Sequence, residues 1–341
     1  MRGAILISSV IIIVIIALAG ALLIRRFFFS GFPLPRGTTR TVDVMLSSLP
    51  DSSASPAPTQ VLETGGVRHS IPLDEILGGG PAKDGIPSIN DPKFLSVAEA
   101  TYLNDEDPGI GIVLNGEARF YPYRVLVWHE IANDAIGGQS ILVTYCPLCA
   151  TGIVFERTVD GKAVEFGVSG KLWKSNLLMY DRQDDEKNES LWSQVLGEAV
   201  VGPQTGAKLR ILHSEIVRWG AWKKAHSDTE ALSKETGAFR DYSRDPYGDY
   251  YTSESVGFGA SFRDTRLHPK ALVYGVEVNG AYAAFAEEAV RREGKLTQTV
   301  GGKTVTAEWK KDTQAVSVSV PAVPLFWFSW LAAHPQTELY K

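Results

Sequence analysis

Residues 111–122 read GIVLNGEARFYP, and residues 275–286 read GVEVNGAYAAFA. Each is an apolar, β-rich run, an Asn-Gly pair and a return run. Asn-Gly between such runs is a strong hairpin signal, because a tight type I′ turn needs positive φ at both central residues. Gly111 matches Gly275, Asn115 matches Asn279, and Gly116 matches Gly280. Further on, Gly137-Gly138 match Gly301-Gly302 at the same offset of 164 residues (275 − 111). WKKAHSDTE from Trp222 returns as WLAAHPQTE from Trp330, 108 residues later, so the first copy carries 56 extra residues (164 − 108). A shared turn at a shared spacing marks an internal repeat. The expected fold is α+β: a β-rich single domain built by tandem duplication of a hairpin–helix–strand–helix unit. Copy one covers about 110–232 with its insertion, and copy two about 274–341.

Within copy one, Pro122 suits the first turn of a helix, predicted to run to about Asp134 and to carry His129 and Glu130. Gly137-Gly138 then turn the chain into a strand, Ile141 to Tyr145, which ends on Cys146. Strands near 152–158 and 163–168 follow, joined by Asp160-Gly161. The apolar run from Val323 to Ala333 is too short to cross a bilayer. Its match to the segment around Trp222 makes it a packed terminal helix.

The folded part is expected at 67–341. Before it, Ala4 to Ile24 run without a charge, long enough for about 30 Å of helix. Residues 1–26 therefore read as a signal anchor or transmembrane helix, with a cleaved signal peptide ending near Ala17-Leu18-Ala19 as the alternative. The membrane is the partner this segment implies. Residues 27–66 read as a flexible spacer, whose Ser/Pro-rich core, Ser47 to Gln60, cannot bury a core of its own. Arg25, Arg26, Arg36 and Arg40 follow the stretch, which by the positive-inside rule favours a cytoplasmic domain. The routing of long domains by N-terminal signals, and the scarcity of cysteine, favour the opposite side.

The 341 residues carry a formal net charge of −5, with 44% hydrophobic residues. That balance supports a normal core and shows no basic stripe for a nucleic acid. Gly-x-Gly-x-x-Gly after a strand, a P-loop, a Gly-x-Ser-x-Gly elbow and His-Glu-x-x-His are all missing, so no nucleotide cofactor is indicated. Two cysteines exclude a disulfide-stapled mini-fold.

Chemistry is expected where the copies differ. Cys146 corresponds to Lys310, Cys149 to Thr313, and His129 to Glu293. A strand ending in Cys-Pro-Leu-Cys suits a thiolate knuckle, in which two sulfurs supply half of a tetrahedral shell. His129 would add a nitrogen, with Asp181 or His226 completing the set. Such donors suit zinc or copper. The same spacing suits a redox dithiol, although those cysteines normally open a helix and these precede a strand. An inert local disulfide or two buried thiols is the third reading. Arg240, Asp241, Tyr242, Asp245, Tyr247 and Tyr250 form a dense loop suited to a polar ligand, or to tying that loop down.

The stretches DGIPSINDPKF, NGEARFYPYRVLVWHEIANDAIGG, VTYCPLCATGIVFER, FGVSGKLWKSNLLMYDR, LWSQVLGEAVVGP and RDYSRDPYGDYY resemble, in order, the motifs of the family called domain of unknown function 3179. The resemblance spans about Ile71 to Tyr340. Ala150 stands where that family usually has glycine. The resemblance implies an exported domain, hence a single-pass protein with its main domain outside the cytoplasm, and implies no established chemistry. Transition-metal binding, thiol–disulfide exchange by Cys146 and Cys149, and non-catalytic ligand binding at a surface all stay open.

Overall fold

The computed structural model describes residues 32–43 and 60–341. The apolar stretch Ala4 to Ile24, and residues 47–59 of the Ser/Pro run, lie outside them. Among the described residues no helix is long and apolar enough to cross a membrane.

Among the described residues the fold is mostly β, 43% strand and 13% helix, with small sheets in a propeller-like ring. The expected β-rich character holds, while helix is scarce: among the described residues the α-helices, Tyr123–Leu126, Trp219–Ala225, Glu287–Glu293 and Trp327–Ala333, have four to seven residues. They act as corners between strands. The helix expected up to Asp134 stops at Leu126, because Glu130 takes a left-handed φ of 58° and the alternating IANDAI segment pairs as the strand Ile131–Ile136. His129 therefore lies in a turn.

The same element order occurs twice. Pro108–Leu114, Glu117–Pro122, the helix at Tyr123, Ile131–Ile136 and Gln139–Cys146 recur as Leu272–Val278, Ala281–Ala286, the helix at Glu287, Lys295–Val300 and Lys303–Lys310. Glu215–Arg218, the helix Trp219–Ala225 and Glu230–Leu232 recur as Val323–Phe326, the helix Trp327–Ala333 and Glu338–Tyr340. Pairing repeats as well. In each copy the hairpin gains one antiparallel strand on its first member and one parallel strand on its second. Asn115 and Asn279 take φ of 52° and 51° in their turns, and each side-chain amide donates to the carbonyl of the matching glycine, Gly137 or Gly301.

The extra residues of copy one build another sheet. Phe166–Trp173, Asn176–Asp181, Leu191–Ser193 and Glu198–Val201 form consecutive antiparallel strands. N-terminal strands extend both edges of this sheet. Two of them, Thr39–Val42 and Val61–Thr64, pair with each other and fall inside the 27–66 segment expected to be spacer. The largest apolar cluster joins this sheet to the cysteine strand and to the terminal helix, through Phe166, Met179, Trp192, Cys149, Trp327 and Trp330. The cysteine turn thus sits where the insertion meets the second repeat.

Candidate functional site: a buried cysteine turn

Cys146 closes the strand Gln139–Cys146, Pro147–Cys149 form one 3-10 turn, and Thr151–Glu156 returns alongside, with Thr151 paired to Cys146. Pro147 presets φ for the start of that turn. Ala150 ends it in the left-handed region, φ 48°. Both sulfurs meet one acceptor: the Ser175 carbonyl oxygen lies 3.1 Å from Cys149 Sγ and 3.7 Å from Cys146 Sγ. Both thiols are free, with exposures of 2% and 0%.

A tight turn aims that carbonyl. Lys174 and Ser175 are both left-handed, φ 50° and 67°, between Phe166–Trp173 and Asn176–Asp181. The Ser175 N–H donates to the Phe258 carbonyl at 2.9 Å, and its hydroxyl donates to the Gly257 carbonyl. Non-glycine residues held in this region cost on the order of 1–3 kcal/mol and cluster at functional sites. Ala150, Lys174, Ser175 and Glu130 bring four of them to this part of the fold.

The two thiols differ electrostatically. Burial pushes Cys146 well above the ordinary thiol range, and its bond to Cys149 adds to this. Backbone N–H groups of Leu177 and Cys149 pull against that rise. Burial also opposes charge on Cys149, but hydrogen bonding from Cys146, Ser329, Asn176 and Thr151 outweighs it and sets this thiol below its usual value. The buried Ser329 hydroxyl has no hydrogen-bond partner among the described residues. Asn176 is fixed by donating to Gln194 at 3.0 Å and accepting the Val195 N–H at 2.9 Å. Gln194 in turn donates to Thr144 and to the Thr151 carbonyl, both at 2.9 Å.

Glu130 stands next to this pair. Its carbonyl accepts the Tyr145 N–H at 2.7 Å, which seats it against the end of the cysteine strand. It is 7% exposed. No described residue hydrogen-bonds its carboxyl. Burial, and then the charge of Cys146, push that carboxyl well above the usual range.

A tyrosine wall closes the other side. Tyr247 caps the 3-10 helix Gly248–Thr252, which carries Tyr250 and Tyr251. The Tyr250 hydroxyl donates to the Leu148 carbonyl at 2.8 Å, pinning this loop to the cysteine turn. Lys270 Nζ lies 3.5 Å from the centre of the Tyr250 ring and donates to Ser253 Oγ at 2.9 Å. Burial, then the charges of Glu130 and Cys146, hold the Tyr247 hydroxyl neutral.

The other expected ligands are not gathered here. His129 Nδ1 is 2.8 Å from the Pro87 carbonyl and Nε2 is 2.7 Å from the Tyr242 hydroxyl, so both ring nitrogens are engaged. Burial lowers its pKa. Asp181 ends its strand accepting the Ser190 N–H at 2.5 Å and the Gln183 amide at 3.2 Å. His226 packs 4.1 Å from Trp222, beside a separate cleft of about 410 Å³ shared with His213, Glu215, Lys310 and Asp312. Among the described residues no three His, Cys, Asp or Glu side chains converge as a ready metal cluster. Within the loop, Tyr242 and Tyr247 face inward. Asp241 accepts from Ser243, and Arg240 reaches the carbonyls of Phe239 and Gly85. Sequence reasoning missed Ser175, Ser329 and the burial of Glu130. Only Glu130 had a usable signal, since the 164-residue offset sets it opposite Gly294.

A profile of the family described as "Protein of unknown function (DUF3179)" matches residues 83–320. Comparison with curated proteins finds no match, and neither does comparison with solved structures. With more than half of its length matched, the chain belongs to the DUF3179 family.

Proposed function

We propose that the Cys146–Cys149 turn is a soft-metal centre, taking copper(I) or zinc, in a domain tethered outside the cytoplasm by the N-terminal apolar stretch. Its two repeats would descend from a tandem duplication, with the thiols confined to the first. The observation that carries this reading is the convergence of two free, buried thiols on one point, with the Ser175 carbonyl oxygen 3.1 Å from Cys149 Sγ and 3.7 Å from Cys146 Sγ. A buried thiolate pair is costly unless it is hydrogen-bonded and neutralised. A thiophilic cation would supply the neutralisation. Thiolates select copper(I) and zinc over hard cations.

Thiol–disulfide exchange is the second reading, favoured by the split between a lowered Cys149 and a raised Cys146. Burial weighs against it, since exchange needs an attacking sulfur to reach its target. Elemental analysis of the full-length chain beside Cys146→Ser and Cys149→Ser tests the metal reading. One equivalent of copper or zinc in the wild type, lost in both variants, supports it. Equal content in all three sinks it.

A further inference from the structure

The sheet built from the extra residues of copy one walls a cavity of about 660 Å³, whose lining shares no residue with the cysteine turn. One side of it is apolar. Phe32, Val67 and Leu191 are half-buried there and pack on the cluster that holds the buried Ile76 and Val201. The Phe32 N–H donates to the Ile76 carbonyl at 3.2 Å, which fixes this end of the N-terminal segment in the cavity wall.

The other side is cationic. Arg68, Lys83, Lys171 and Lys187 line it beside two carboxylates, Glu186 and Glu189, an excess of two positive charges (4 − 2). Lys83 takes both carboxylates: its Nζ lies 2.7 Å from Glu189 and 3.0 Å from Glu186, and 4.4 Å from the centre of the Tyr180 ring. Arg68 is left without a carboxylate among the described residues, because Glu63, its cross-strand neighbour, is bound by Arg40 at 2.8 Å. A half-buried guanidinium beside apolar side chains suits an anion that brings its own apolar part.

Location narrows the class. Phe32 follows Arg26, the charge that ends the apolar stretch, by six residues. A chain covers at most about 3.5 Å per residue, so this wall lies within about 20 Å of that arginine, and hence of the membrane surface. The cavity falls within the ~300–1,000 Å³ of pockets that hold one small ligand. That is room for a single acyl chain and too little for a whole two-chain phospholipid.

We propose that this cavity binds a fatty-acid anion drawn from the membrane surface, its acyl chain against Phe32, Val67, Leu191 and Val201 and its carboxylate paired with Arg68. The site depends on the tether assigned above and not on the cysteine turn. A guanidinium suits the headgroup, since it holds a carboxylate through two parallel N–H donors.

The full-length chain in phosphatidylcholine nanodiscs, titrated with oleate isotopically labelled at the carboxyl carbon, tests this by NMR. A bound carboxylate resonance is expected that saturates at one equivalent and is missing from empty discs. Arg68→Gln should weaken binding about tenfold or more, the loss of a charge-assisted hydrogen bond, and Arg68→Lys should recover part of it. Methyl oleate, which keeps the chain and lacks the charge, should not compete; this arm needs no variant. An anchored chain with no bound resonance overturns the proposal. So does an Arg68→Gln chain that binds as the wild type does, or competition by methyl oleate equal to that of unlabelled oleate. Loss of the bound resonance when phosphatidylglycerol replaces part of the phosphatidylcholine also overturns it, in favour of a phospholipid headgroup. A full-length chain that alkaline carbonate strips from membranes removes the tether reading, and the proposal with it.

Discussion

The indole of Trp222 packs on Gly111 so closely that a β-carbon at 111 would lie 2.5 Å from the ring, and Trp330 meets Gly275 the same way at 2.3 Å. Each indole N–H also reaches the threonine seven residues on, Thr229 at 2.9 Å and Thr337 at 2.8 Å. This wedge locks the corner helix of each repeat to its hairpin.

Alanine at Gly111 or Gly275 must push an indole or the backbone aside. We expect each substitution to cost about 1–3 kcal/mol, the usual range for overpacking. Gly257→Ala, which faces open space, is the comparison and should cost far less. Denaturant midpoints measure all three. Equal midpoints for Gly111→Ala and Gly257→Ala would show that the wedge is looser than described.

His334 makes the second repeat acid-sensitive. Its ring stacks 4.1 Å from Tyr282 and lies tilted 4.1 Å from Trp330, and burial, aided by Lys208, pushes its pKa down to about 4. A histidine whose folded pKa is depressed contributes stability that is complete above the unfolded value of 6.5 and is lost as pH falls toward 4. The gap between these values corresponds to about 3 kcal/mol. Glu130 runs in the opposite sense, since protonation favours its buried form. His334→Phe should keep the stack and flatten the stability profile between pH 6.5 and 4. Parallel profiles for the two proteins would contradict the assignment.

The thiols should be shielded until the tyrosine wall opens. Tyr250→Phe removes the bond to the Leu148 carbonyl without emptying the space. Alkylation of Cys146 and Cys149 in the native chain is expected to be at least about 100-fold slower than in denaturant, because it requires local opening. Tyr250→Phe should speed it about tenfold, the equivalent of one hydrogen bond of ~1 kcal/mol or a little more. Mass spectrometry of alkylated peptides reads both rates, and rapid labelling of the native wild type would refute the burial described here.

Much of the scaffold was legible because turn chemistry is local. Asn115-Gly116 and Asn279-Gly280 need positive φ, and the constant offset between them carried the repeat into view before any strand pairing was known. Helix length was misjudged after Pro122, because VLVWHE carries helical rhythm while the break depends on a left-handed glutamate, a conformation that residue type does not announce. The cysteine turn was legible as a motif. Its surroundings were not, since Ser175, Asn176 and Ser329 come from a hairpin and a terminal helix distant in sequence. His129 looked like a ligand by proximity along the chain, yet Pro87 and Tyr242 occupy its two nitrogens.

Metal-edge X-ray absorption on the full-length chain, loaded with one equivalent of copper(I) or zinc, tests the central claim most directly, because it counts the sulfur neighbours of the ion. The cysteine turn predicts two sulfur scatterers, at about 2.3 Å for zinc, and their loss in a Cys146→Ser, Cys149→Ser double variant. A spectrum with only nitrogen and oxygen neighbours, or one unchanged in the double variant, would contradict a metal centre at Cys146 and Cys149.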